Sequence, residues 1–169
     1  MVLAVGSSGY LGADDGELLG HKKVEILNAN ENTWNITHDY PFVDEHIYYA
    51  PIVQHRGAFY VIGGYSFNGP GSDRILHRTI GRFDPFSETW SQAGQLITGR
   101  AGHNAIFDGI AFIVVGGYDP ERPIRGGIYN TEVCSISDDE MVSCTSQKPE
   151  WHGYGCYPEL SLVSDSFCQ

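Results

Sequence analysis

The strongest constraint on this chain is that its sequence repeats. Ala58-Phe-Tyr-Val-Ile-Gly-Gly-Tyr65 lies over Ala111-Phe-Ile-Val-Val-Gly-Gly-Tyr118 at a shift of 53, matching an aromatic, an aliphatic run, two glycines and a tyrosine. A second motif recurs in the same order, with Asn28-Ala-Asn-Glu-Asn-Thr-Trp34 lying over Asp84-Pro-Phe-Ser-Glu-Thr-Trp90 at a shift of 56. A period of this length marks an array of supersecondary units, each burying its apolar faces only by stacking on its neighbours.

With those registers set, two divergent copies emerge. Val2 to Ser7 stands where Phe59 to Gly64 stands, with Gly6 kept and Ser7 in place of the second glycine; Asp138 to Cys144 stands where Asp84 to Trp90 stands, with Cys144 in the tryptophan's place. Each unit holds four short β-prone runs: Ile47 to Val53, Ala58 to Ile62, Thr79 to Phe83 and Thr89 to Ser91, then Asn104 to Phe107, Ala111 to Val115, Glu132 to Ser137 and Met141 to Cys144. Four antiparallel strands per repeat predict an all-β fold of propeller blades. The predicted units are residues 1–47 (lacking a first strand), 47–99, 100–144, and the opening of a fourth in 145–169.

The doubled glycine after an apolar strand, a Trp 26 residues later, and the lead-in Gly99-Arg100-Ala-Gly-His103 together resemble the kelch repeat. The signature residues are Gly6, Trp34, Gly63, Gly64, Trp90, Gly116 and Gly117. Glycines suit the tight turn where blades approach, and the tryptophans are large payloads for the space between twisted sheets. Propellers close with four to eight blades, so about three blades imply an incomplete ring, completed by a longer parent chain or by self-association.

Loop lengths carry the functional expectation. Turns joining first to second and third to fourth strands are tight, whereas 7–22, 65–78 and 118–130, with the blade-to-blade segments 35–46, 92–102 and 145–158, are long. Strand alternation brings all the long segments out on one face, where a rigid scaffold displays recognition loops. Tyr65, Phe67, Arg74, Arg78, Arg100, Tyr118, Arg122 and Arg125 are the candidate ligand-binding residues there, aromatics and arginines being the types that dominate interfaces. Adaptor members of the kelch family read acidic peptides with arginines on this face, which the resemblance extends to Arg74 and Arg100. The same face carries acids such as Asp14, Asp39 and Asp119, so a neutral or partly basic ligand fits as well. The expected partner is a protein or peptide.

The net charge of −11, from 21 acids against 10 bases with no basic cluster, disfavours nucleic acid. No apolar run is long enough for a membrane span. No catalytic motif is present: there is no nucleophile elbow, no P-loop and no Cys-x-x-Cys, so neither cofactor nor metal is expected. The resemblance also extends to kelch-fold enzymes, namely copper-radical oxidases similar to galactose oxidase and sialic-acid epimerases, and to the substrate adaptors of ubiquitin ligases.

All four cysteines lie in the last thirty-six residues. Cys134 and Cys144 flank Asp139 symmetrically, in the register that sets Ile80 opposite Trp90 one blade earlier, and a bridge there would replace packing lost with the tryptophan. Cys156 and Cys168 would form the second pair, although four cysteines allow three connectivities. Asn35-Ile-Thr37 is an N-glycosylation sequon. Cysteine pairing and sequon together point to an extracellular setting, while the N-terminal residues lack the basic and apolar regions of a signal peptide.

Overall fold

The computed structural model describes residues 2–10, 18–36, 38–44, 46–66, 73–118 and 127–147. Every regular element among them is a strand. β1 (Val2–Tyr10), β2 (Leu18–Asn28) and β3 (Thr33–Ile36) form a three-stranded antiparallel sheet in that order. The second sheet is β4 (Ile52–His55), β5 (Ala58–Ile62), β8 (Thr79–Asp84) and β9 (Thr89–Gln95), the third β10 (Asn104–Phe107), β11 (Ala111–Val115), β12 (Thr131–Ile136) and β13 (Val142–Gln147). A small ribbon, β6 (Tyr65–Ser66) with β7 (Ile75–Leu76), opens and closes the long connection of the second blade.

Each four-stranded sheet is antiparallel internally. Their outermost strands touch in a short parallel pairing, Val142 opposite Gly94 and Ser143 opposite Gln95. Gly94 is required at that seam, since a Cβ there would meet the Val142 carbonyl oxygen at 2.2 Å.

Tight turns are closed by acceptor side chains. The Phe86 and Ser87 amides donate to Asp84 Oδ1 at 2.9 and 3.3 Å, and the Ile110 and Ala111 amides donate to Asp108 Oδ1 at 2.8 Å each. These Asx turns follow from a short carboxylate that mimics a backbone acceptor. The same bonds hold both carboxyls below the usual range.

Burial follows strand alternation. Phe59, Val61 and Phe83 turn toward the first blade, packing with Leu3, Val24 and Ile26 and with Tyr40 and Val43 from the connecting segment; Trp90 packs against this cluster. Tyr60, Ile62 and Ile80 turn the other way, onto Phe112, Val114 and Cys134 of the third blade. β5 is therefore buried at every position. Trp90 sits 5.0 Å from Tyr40 and 4.9 Å from Phe83 between ring centroids. Trp34, at the matching place in the first blade, joins neither core and is 51% exposed.

The structure differs from the sequence expectation in several places; β9 and β13, for example, run on to Gln95 and Gln147, into the segments 92–102 and 145–158 expected to be loops. The first strand of the second blade begins at Ile52 and not at Ile47, because Tyr49 adopts a left-handed φ of 51° that interrupts the extended run. The connection after β1 is shorter than residues 7–22: past a register break at Gly6, the ladder continues from Ser7–His21 to Tyr10–Leu18. Trp90 faces Phe83, while Ile80 faces Gly94, because the turn closes at the Asp84–Thr89 pair and a bulge falls between Ile80 and Gly81. Cys134 does face Cys144.

Candidate ligand-binding face

The doubled glycines build this face. Gly63 and Gly64 (φ 61° and 92°) and Gly116 and Gly117 (φ 71° and 102°) are all left-handed, a region open to glycine without Cβ strain. They lie against the lead-in of a blade: a Cβ on Gly63 would meet the Arg100 carbonyl at 2.9 Å, and the Gly64 amide donates to that same oxygen at 2.9 Å. The turn then delivers a tyrosine to the same place in each blade. Tyr65 bridges to Tyr48, and Tyr118 bridges to Ala101.

These tyrosines meet. Tyr65 stacks on Tyr48 at 5.1 Å, lies 5.9 Å from Tyr49, and stands edge-on to Tyr118 at 6.3 Å. Arg74, delivered by the far end of the same loop, sets its guanidinium 5.2 Å from the Tyr65 centroid and 5.8 Å from that of Tyr118, and its Nη1 donates to the Tyr118 hydroxyl at 2.8 Å. Burial raises the Tyr65 hydroxyl above its usual value, reinforced by Tyr118 and opposed by Arg74. A guanidinium steadied over two rings holds its planar donors ready for a carboxylate or a carbonyl at low entropic cost. Tyr49 is 54% exposed and held in a backbone conformation unusual for a bulky residue, its carbonyl accepting from the Gly102 amide at 3.1 Å.

The sequence-predicted candidates divide. Tyr65, Arg74 and Tyr118 come together in this patch, Arg74 exposed, Tyr118 partly exposed and Tyr65 buried beneath them. Arg78 is exposed but turned along the chain, its Nε donating to the Leu96 carbonyl at 2.6 Å. Arg100 is a correction: it is fully buried and reaches no ligand-accessible surface. It donates to Glu132 Oε1 at 2.6 Å, to the Gly116 carbonyl at 2.9 Å, and to the Asn130 carbonyl and Oδ1 at 3.1 Å each. Glu132 also accepts from the Ile97 and Thr98 amides. Such a network clamps the lead-in of the third blade onto β12 and has no donor to spare. Phe67, Arg122 and Arg125 lie outside the described residues, as do Cys156 and Cys168.

Sequence reasoning missed Tyr48, Tyr49 and Glu132. A signal existed for the tyrosines: they stand 53 residues before Ala101 and Gly102, in the repeat's own register. Glu132 had none, since the corresponding second-blade position, opposite Val61, is Gly81, over which Phe42 and Tyr40 lie.

Cys134 and Cys144 are joined by a disulfide across β12 and β13, Cys134 fully buried. Glu132 lies close to both sulfurs. Its carboxylate is committed to Arg100 and two amides, and neither bonded sulfur is a thiolate, so this trio is not built to hold a cation. Asn35 is exposed on β3.

No family model and no curated protein matches the chain. Among solved structures the chain is similar to one titled "Structure of YjhT", with a TM-score of 0.65 at 14% identity over 85% of this chain. The fold is that of a kelch-type β-propeller. The match takes in 42% of YjhT, so the chain spans less than half of that propeller's length. Among the described residues no helix is long and apolar enough to cross a membrane.

Proposed function

We propose that the chain is a kelch-repeat interaction module that binds a protein or peptide on its loop-rich face, centred on Arg74 and Tyr118, which the buried Tyr65 ring supports from beneath, with Tyr49 at the rim. The observation that carries this reading is convergence: Arg74 and Tyr118, 44 residues apart and from different blades, meet at 2.8 Å on an exposed surface. Aromatic rings with a preorganised arginine are the composition of binding hot spots. A peptide carrying one carboxylate beside an aromatic or aliphatic residue suits the patch; a polyanion does not, given the net charge of −11.

The remaining blades come from a longer parent chain or from a second copy, and the exposed Trp34 face of the first blade is where they stack. The disulfide favours an extracellular setting. Panning a displayed peptide library against the chain tests the site. Enriched peptides are expected to bind poorly to Arg74→Ala and to Tyr118→Phe, which removes the hydroxyl that accepts from Arg74; peptides that bind both variants as well as the parent would place recognition elsewhere.

A further inference from the structure

On the opposite, tight-turn face lies a cleft of about 310 Å³ between the first and second blades. Ile26 and Pro85 contribute apolar surface, while Asn28, Asn30, Asn35 and Glu88 contribute amides and a carboxylate. Its volume is at the small end of ligand clefts, about 300–1,000 Å³. Asn35 is also the acceptor of the sequon Asn35-Ile-Thr37. It projects from β3 opposite Ile26.

We propose that Asn35 is N-glycosylated and that the cleft beside it seats the first N-acetylglucosamine of that glycan. The chemistry matches on both sides. A pyranose presents a C–H face that packs on Pro85 and Ile26, and hydroxyls and an acetamide that pair with the Glu88 carboxylate and with the Asn30 side-chain amide. Asn28 Oδ1 already accepts from the Asn30 backbone N–H at 3.1 Å, which fixes the turn forming one wall. Among the described residues no cationic side chain lines the cleft, consistent with a neutral sugar in place of an anion. Seated there, the sugar links β2 and β3 of the first blade to the Pro85–Glu88 turn of the second. The inference stands on the turn face and is independent of the loop-face site.

The test is to secrete the full chain from a eukaryotic host behind a leader, then compare three forms: glycan intact, trimmed to a single N-acetylglucosamine, and fully removed. Mass mapping should find Asn35 occupied. Amide hydrogen exchange at residues 26–30 and 85–88 should be about tenfold slower in the single-sugar form than in the sugar-free form, the factor expected from one or two added hydrogen bonds. Glu88→Ala should keep Asn35 occupied and abolish most of that difference. An unoccupied Asn35, or an occupied one with equal exchange in the single-sugar and sugar-free forms, overturns the proposal.

Discussion

Replacing Arg100 with Met strands Glu132 as a buried, uncompensated carboxylate, because both side chains are wholly inaccessible and paired at 2.6 Å. Loss of one partner from such a pair costs about 3–5 kcal/mol. Denaturant unfolding should show that loss for Arg100→Met and for Glu132→Gln a smaller one, while the double variant Arg100→Met with Glu132→Leu recovers much of it. His103 makes a second prediction. Burial, with Arg100 alongside, pushes its imidazole down to about 3. In the unfolded chain it titrates near 6.5, so above that pH the group is silent. As the pH falls from about 6.5 toward 3 the unfolded chain takes up a proton that the folded chain refuses, and stability declines through that window. Comparing melting temperatures at pH 7.5 and 4.5, His103→Gln should lose less than the parent; an equal loss would show that other groups set the acid limb.

Between strands, Gly94 and the cysteine pair hold the ladders together. Gly94→Ala drives a Cβ into the Val142 carbonyl at the β9–β13 seam, and overpacking of this kind costs about 1–3 kcal/mol; the check is a lowered denaturation midpoint with unchanged slope. Reducing the Cys134–Cys144 bridge, which closes a separation of 10 residues, should lower stability by about 2–3 kcal/mol. Thermal unfolding with and without reductant measures it. The strands were readable because glycine pairs and Asx turns punctuate them locally. The register of Trp90 was not: the turn closes at the Asp84–Thr89 pair, which sets Trp90 opposite Phe83, and only beyond it does a bulge between Ile80 and Gly81 carry Ile80 to Gly94. Arg100 was misplaced for a related reason. Its burial depends on Glu132, 32 residues away on β12, and an arginine that pairs inward looks in sequence like one that faces a ligand. Tyr65 and Tyr118 were legible because the repeat places both directly after a left-handed glycine pair.

Across the whole molecule, the uneven fate of two equivalent tryptophans summarises how the blades depend on one another. Trp90 is covered by Tyr40 and Phe42 from the preceding connection, whereas Trp34 is half exposed. Studied alone, the chain should therefore self-associate through the first blade, with sedimentation that depends on concentration and is weakened by Trp34→Gln; a monodisperse 18.6 kDa monomer would count against this. Function is claimed for the other axis of the molecule, the loop face. The most direct measurement is calorimetric titration of a panned peptide against the parent, Arg74→Ala on the loop face and Phe86→Ala on the turn face, where Phe86 is 90% exposed. Hot-spot truncation costs about 2 kcal/mol or more. At least tenfold weaker binding is expected for Arg74→Ala and unchanged binding for Phe86→Ala; the reverse pattern, or no effect of Arg74→Ala, would contradict recognition on the loop face.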